Sequence, residues 1–216
     1  LATLLLDIGK IKLPDEMLAK PGKLTDAEFK LMRRHVQFSL ELLGSCRGVG
    51  KETLKTIATH HERHAGHGYP RRLRGLEIPV FGRIAGIVDC YDAITSDRPY
   101  AKALSQYEAI RKLYEWRDQD FQGDIVEQFI QCLGVYPTGS LVELTTGQVG
   151  IVLAQNPVRR LKPVLMLILD EDKVAYSFQP RLDRVSEDQT AAGEPIDILR
   201  ALEPGSYGID PADYYI

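Results

Sequence analysis

The sequence has few cysteines, no long apolar run and no strong charge of either sign. Its three cysteines, Cys46, Cys90 and Cys132, are odd in number and widely spaced, which argues against a disulfide framework and for a reducing compartment. No apolar run approaches the roughly 20 residues that a membrane-spanning helix needs. We therefore expect a cytoplasmic chain with no membrane segment. The sequence has no signal peptide and no initiator Met, and its apolar opening predicts a fragment of a longer protein.

The net charge of −3 is unevenly distributed along the 216 residues. From Asp170 onward there are 11 acidic and 4 basic residues, which leaves 23 basic and 19 acidic residues before that point. A mildly basic first part suits a phosphate-bearing ligand. The excess is too weak for a DNA-binding stripe, so we expect no DNA partner.

Helical periodicity dominates the chain up to about residue 135. An apolar run ends near Gly9, a predicted helix terminator, and residues 11–24 are predicted to be a loop. Thr25 and Glu28 form a predicted capping box that opens one helix through His35 to Leu43. Further helices are predicted over residues 51–62, 80–95, 105–116 and 124–133. The helix at 80–95 is apolar on nearly every side, which predicts a central, buried helix.

The periodicity changes after about residue 137. Residues 141–144 and 149–153 are predicted to form a hairpin, and residues 162–169 a third strand. A loosely packed polar tail is expected beyond about residue 200. The predicted fold class is mainly α with a small C-terminal β appendage, divided into domains at residues 1–136 and 137–216.

A histidine-rich stretch contains the strongest functional signal. All five histidines lie between positions 35 and 67, and two of them are adjacent, His60 and His61. Neutral imidazole is the commonest protein ligand for transition metals. The alternative is a polar helix end followed by a loop. Suitable partners elsewhere favour the metal-site interpretation.

Those partners are spread over several predicted helices. The candidate ligands are Asp7, His35, His60, His61 and Asp89. Mixed imidazole and carboxylate ligands suit Fe, Mn, Zn or Co better than Ca or Mg. Two ions bridged by one carboxylate would generate a hydroxide from bound water and hold a phosphodiester for in-line attack. Taken alone, Asp7 is equally explained by a helix end, and His35 by a core histidine.

Three cations are candidates for phosphate contacts. Lys10, one helical turn past Asp7, can hold a phosphate oxygen or protonate the leaving group. Arg98 and Lys102 are candidates for a second phosphate, with Arg offering a bidentate fork. A structural ion pair at Arg98 and a solvated surface charge at Lys102 are the alternatives.

Several motifs, in this order, resemble the HD-GYP family, the branch of the HD metal-dependent phosphohydrolases that hydrolyses the bacterial second messenger cyclic di-GMP. They cover about residues 1–135. The motifs are Asp7-Ile8-Gly9-Lys10, Lys20-Pro21-Gly22-Lys23-Leu24-Thr25, Arg34-His35, His60-His61-Glu62-Arg63, Gly66-His67-Gly68-Tyr69-Pro70 and Asp89-Cys90-Tyr91-Asp92 through Asp97-Arg98-Pro99-Tyr100.

The resemblance implies an HD-type helical bundle around a di- or trinuclear centre of iron or manganese. It makes Asp7 the bridging carboxylate and the other four candidate ligands terminal, with Lys10 on the scissile phosphate. It places the cyclic di-GMP against Gly68, Tyr69, Asp92, Arg98 and Lys102. Glu62 and Asp92 are expected to fix the loop or the ligands. The implied products are pGpG, GMP or both.

The sequence departs from the family pattern at the His-Asp pair, which here is Leu6-Asp7. Since Leu cannot bind a metal, reduced occupancy of the ion shared with Asp89 is expected. Ala65 also replaces an acidic residue common before the Gly-x-Gly-Tyr-Pro motif. The alternative function is therefore a degenerate domain that acts as a cyclic di-GMP receptor, or as a protein-interaction module through the Gly-Tyr-Pro loop. A purely structural helical protein is a further alternative function. A homodimer is a candidate assembly of the chain.

Overall fold

The computed structural model describes residues 1–97, 102–156, 159 and 161–214. The chain forms two compact units. The first contains Leu1–Ala103 and Lys112–Glu127, and the second contains Leu104–Arg111 and Gln128–Ile216. The domain boundary between residues 136 and 137 stays a prediction.

Most of the secondary structure is helical, so the broad mainly α class is confirmed. The α-helices are α1 (Ala2–Leu5), α2 (Asp15–Leu18), α3 (Asp26–Met32), α4 (His35–Leu43), α5 (Lys51–Thr59), α6 (Val80–Thr95), α7 (Gln106–Glu115) and α8 (Gly123–Leu133). Short 3-10 helices cover Ile8–Lys12, Gly75–Glu77, Ser206–Gly208 and Pro211–Tyr214. None of the described helices is long and apolar enough to cross a membrane.

The start of the first unit differs from the prediction in three places. Gly9 does not end a helix but lies inside the 3-10 helix Ile8–Lys12. Helix α2 lies within the predicted loop. The predicted helix from Thr25 to Leu43 is two helices, because the Arg34 N–H bonds to the Leu31 carbonyl three residues back and interrupts the α-helical pattern. The capping box at Thr25 is confirmed.

Helix α6 is buried on one side only, so the prediction of burial on all sides is wrong. Phe81, Ile84 and Val88 are 55%, 41% and 37% exposed. On the buried side, a Cβ at Gly82 would lie 2.1 Å from the Thr59 Oγ1, and one at Gly86 would lie 2.6 Å from the His60 carbonyl oxygen. These two glycines therefore allow α6 to pack closely on the C-terminal end of α5.

A small apolar core joins the helices of the first unit. Its buried members are Leu6, Leu43, Ile57 and Ala85, which come from the end of α1, α4, α5 and α6 respectively. The core thus holds together the elements that carry the candidate ligands.

The second unit contains a five-stranded antiparallel sheet. Its strands are β1 (Leu141–Leu144), β2 (Val149–Ala154), β3 (Val164–Leu169), β4 (Arg181–Asp183) and β5 (Ile198–Leu202), in the order β4-β3-β2-β1-β5. The predicted hairpin and third strand are present as β1, β2 and β3. The sequence pattern does not predict β4 and β5, which are short and carry exposed residues.

The polar tail predicted beyond about residue 200 is mostly exposed, but it contacts the sheet cluster at two positions near its described end. Ile209 is 4% exposed and belongs to the same buried cluster as Leu141 and Ile151. Tyr214 packs against that cluster from the last 3-10 helix. Two apolar side chains in a polar segment are enough to fix it, because each removes substantial apolar surface from water.

Candidate metal centre

Four candidate ligands lie at the ends of helices in the first unit. Asp7 is in the turn between α1 and the 3-10 helix, and His35 is the first residue of α4. His60 and His61 follow directly after α5. We call Asp7, His35, His60 and His61 the four-residue cluster. Their four ligand atoms all lie within 4.8 Å of one another.

Ser39 holds the Asp7 turn against α4. The Gly9 N–H donates to the Ser39 Oγ at 2.9 Å, and that hydroxyl donates to the Leu6 carbonyl at 3.1 Å. Ser39 is fully buried and lies one helical turn after His35. The two hydrogen bonds therefore fix Asp7 relative to His35 across about 30 residues of sequence.

Replacing Ser39 with Ala is expected to lower the free energy of unfolding by about 1–3 kcal/mol, because the buried Gly9 N–H loses its partner. Urea denaturation of the full chain measures this change. We also expect weaker Mn(II) binding, measured as a smaller rise in melting temperature on adding Mn(II). The control is Ser45→Ala at an exposed position, and equal stability of the two variants would contradict the prediction.

The ring nitrogens of His35 and His60 are arranged for metal binding. The Nδ1 atoms of His35 and His60 lie 2.7 Å from the carbonyl oxygens of Met32 and Ile57. Since a carbonyl only accepts, each Nδ1 carries the proton and each Nε2 presents a lone pair. In metal-ligating histidines the same backbone bond fixes the ring.

Three buried acceptor atoms of the cluster have no hydrogen-bond partner among the described residues: Asp7 Oδ1, His35 Nε2 and His60 Nε2. The His35 Nε2 and Asp7 Oδ1 atoms are 3.3 Å apart, but neither carries a proton in this tautomer. Buried polar atoms without partners are costly. A cation bound between the His35 Nε2 and the Asp7 Oδ1 would give both atoms a partner. The residues present therefore fit a bound metal.

Burial keeps these imidazoles neutral. It lowers the pKa of His60 to about 4 and lowers the pKa of His35 and of His61 as well. For His61 the adjacent His60 ring lowers the pKa further, because two neighbouring imidazoles resist being protonated together. At neutral pH no proton therefore has to leave these rings before a metal can bind.

The two carboxylates on either side of the cluster have different surroundings. The Asp7 Oδ2 receives a hydrogen bond from the Lys10 Nζ at 2.6 Å, whereas its Oδ1 faces His35. The carboxylate of Asp89, on α6, lies 3.9 Å from the His61 Nδ1. Asp89 is thus next to the cluster, outside the group within 4.8 Å.

The remaining predicted site residues lie elsewhere or have no described structure. Asp92 and Lys102 are exposed, and their roles stay predictions. Arg98 lies outside the described residues. His64 and His67, the two histidines not predicted as ligands, lie outside the four-residue cluster.

The Gly-Tyr-Pro loop, residues 66–70, is fixed beside the cluster. The Tyr69 N–H donates to the His61 carbonyl at 3.1 Å, and its ring stacks on the His61 ring with centroids 4.6 Å apart. A Cβ at Gly68 would lie 2.3 Å from the Arg63 backbone nitrogen, so this position requires glycine.

The buried Glu62 carboxylate accepts hydrogen bonds from the backbone N–H groups of Arg71 and Leu73, directly after the loop. Its predicted loop-fixing role is confirmed.

Leu6 is part of the apolar core and 7% exposed. It packs with Leu43, Ile57 and Ala85. The position where the family pattern has histidine thus contributes packing in this chain.

Comparison with known proteins places this site in a family. A family model described as "HD domain" matches residues 1–125, which is more than half of the chain. The chain belongs to the HD domain family. The resemblance to the HD-GYP branch of this family, predicted from the motifs, is confirmed.

Its relatives include bacterial phosphodiesterases. A cyclic di-GMP phosphodiesterase of Pseudomonas aeruginosa is 45% identical over 163 residues, covering 76% of this chain and 39% of the relative. A cyclic di-GMP phosphodiesterase of Thermotoga maritima is 39% identical over 126 residues, 58% of this chain and 34% of the relative. A 3′3′-cGAMP-specific phosphodiesterase of Vibrio cholerae is 37% identical over 58% of this chain and 24% of its own length. The chain thus spans well under half of these relatives.

Proposed function

We propose that this HD domain hydrolyses cyclic di-GMP to pGpG, GMP or both, with a di- or trinuclear iron or manganese centre held at the four-residue cluster and Asp89. The observation that carries the proposal is the four-residue cluster, whose ligand atoms lie within 4.8 Å of one another. It contains three buried acceptor atoms that have no hydrogen-bond partner in the described part of the chain. The names of the bacterial relatives support cyclic di-GMP as the substrate.

The chemistry divides between the metal and the chain's own residues. When bound, the metal supplies a hydroxide nucleophile and neutralises charge on the phosphodiester. Asp7 turns one oxygen to the histidines and the other to Lys10. The Lys10 ammonium therefore lies at the edge of the cluster, where it can bind a phosphate oxygen or protonate the leaving group.

The substrate-binding surface includes the Gly-Tyr-Pro loop. Tyr69 lies against His61, so a ligand at the metals would also meet the loop. We propose that Gly68 and Tyr69 contact the dinucleotide, together with Asp92, Arg98 and Lys102. The bacterial relatives support a cytoplasmic location, as do the three cysteines, which form no disulfide in the described part of the chain. Three further expectations stay predictions. They are the role of the β-rich second unit as an appendage, the formation of a homodimer, and the binding of a protein partner at the Gly-Tyr-Pro loop.

The test is anaerobic incubation of the full chain with cyclic di-GMP and either Fe(II) or Mn(II), followed by chromatography of the products. We expect pGpG or GMP with metal and none in a chelator. A folded, metal-loaded chain without turnover would contradict the proposal.

One observation favours a second candidate function, a cyclic di-GMP receptor. The buried Leu6 side chain offers no ligand where the family pattern has one. Under the main proposal the chain with Leu6 already turns over substrate. Nucleotide binding without turnover, together with turnover that appears only in Leu6→His, would favour the receptor. Since the imidazole would enter an apolar core, we expect Leu6→His to cost about 1–3 kcal/mol of stability without metal.

A further inference from the structure

Lys10, Arg33 and Arg63 are described cationic side chains near the cluster and its loop, and they have different partners. The Lys10 Nζ is 2.6 Å from the Asp7 carboxylate. The Arg63 guanidinium lies 3.7 Å from Asp120 and donates to the carbonyls of His60 and Glu62. Arg33 is exposed, and within the described ranges no carboxylate forms an ion pair with it. Of these three side chains, Arg33 is the one without an ion-pair partner among the described residues.

Arg33 is held next to the cluster by aromatic rings. Its guanidinium carbon lies 4.5 Å from the centroid of Phe29 and 4.9 Å from that of Tyr69. Tyr69 in turn stacks on His61 of the cluster. Cation–π contacts orient a guanidinium while its N–H edge stays free to donate. The side chains of His61, Tyr69 and Arg33 thus form a continuous series that leads from the cluster outward.

We propose that Arg33 is a ligand-binding residue of this site, whose guanidinium binds a phosphate oxygen of the cyclic dinucleotide. The inference rests on the proposed function, because it takes the ligand to lie at the cluster. An unpaired, pre-oriented guanidinium is a preferred partner for phosphate, since its planar fork matches the anion. The break between α3 and α4 contributes to this arrangement, because Arg33 is the residue that caps α3.

Arg34 provides a matched control. It is the adjacent arginine and is also exposed. Its guanidinium carbon lies 4.8 Å from the ring of Phe38 instead of that of Tyr69. Arg33→Ala and Arg34→Ala therefore remove the same charge. Arg33→Ala also removes two cation–π contacts and Arg34→Ala one, and only the Arg33 variant acts on the series that leads to His61.

The first measurement is calorimetric binding of cyclic di-GMP to the full chain in a chelator, where turnover is absent. We expect Arg33→Ala to raise the dissociation constant about tenfold, as for loss of a charged hydrogen bond. Arg33→Lys should fall between this variant and the wild type, and Arg34→Ala should stay within about twofold of the wild type. Melting temperatures show whether each variant is folded.

Ionic strength and kinetics identify the contact. The affinity ratio of wild type to Arg33→Ala should shrink as salt rises, because salt screens an arginine–phosphate contact. A ratio that is insensitive to salt would contradict the phosphate assignment. With Mn(II), Arg33→Ala should raise KM more than it lowers kcat, as for a lost ground-state contact.

Failure of this inference differs from failure of the proposed function. If the wild type hydrolyses cyclic di-GMP and Arg33→Ala binds it equally well, the Arg33 assignment alone is wrong. If the folded wild type neither binds nor hydrolyses it, the proposed function is wrong and the Arg33 assignment falls with it.

Discussion

Replacing His60 with Ala is expected to remove most of the bound metal and to lower cyclic di-GMP turnover about 1000-fold or more. His60 is fully buried, and its Nε2 has no other partner among the described residues. A metal ion contributes several kcal/mol of transition-state stabilisation, and each 1.36 kcal/mol lost costs tenfold in rate. Elemental analysis after anaerobic loading measures the metal, and product chromatography measures turnover.

The control for this experiment is a histidine outside the cluster. His67 is exposed and its Nε2 lies 3.0 Å from Asp120, so His67→Ala removes an imidazole without removing a proposed ligand. We expect His67→Ala to keep the metal content of the wild type. Equal metal content in His60→Ala and the wild type would show that the metal binds elsewhere.

Replacing Gly9 with Ala is expected to lower the free energy of unfolding by about 3 kcal/mol. A Cβ at this position would lie 2.1 Å from the His35 carbonyl oxygen and 2.5 Å from the Ser39 nitrogen. Both are backbone atoms, so the turn must move away from α4. Because Asp7 lies two residues before Gly9, we also expect metal affinity to fall.

The matched control for Gly9→Ala is Gly22→Ala, where nothing lies within 4 Å of the added Cβ. Urea denaturation of both variants, with and without Mn(II), separates the two effects. Gly22→Ala should behave as the wild type in both measurements. Wild-type stability of Gly9→Ala would contradict the close packing of the Asp7 turn on α4.

Much of the candidate site could be predicted from residue types in order along the chain. The His60-His61 pair and the distant Asp7 and His35 are chemically unusual enough to be selected before any fold is known, and the structure places their ligand atoms together. How they are held could not be predicted. Ser39 follows His35 at helical spacing, but no sequence pattern states that its hydroxyl bonds to the turn after Leu6.

The wrong predictions for α3, α4 and α6 also arise because a sequence pattern does not state which elements contact each other. The apolar spacing through residues 29–43 continues across the break at Arg33, since α3 and α4 both present apolar side chains at intervals of three and four. The apolar periodicity therefore does not predict the helix break that places Arg33 beside Tyr69. Similarly, an apolar helix such as α6 reveals no buried side by itself, and Gly82 and Gly86 decide which face packs.

We propose that the four-residue cluster holds the metal that acts on the phosphodiester. Anomalous diffraction from crystals of the full chain grown with Mn(II) or Fe(II), recorded on both sides of the metal absorption edge, locates the bound ion. We predict a metal peak within bonding distance of His35 Nε2, His60 Nε2 and Asp7 Oδ1. A cluster without a peak, in crystals that hold the metal elsewhere, would show that these residues are not the metal site.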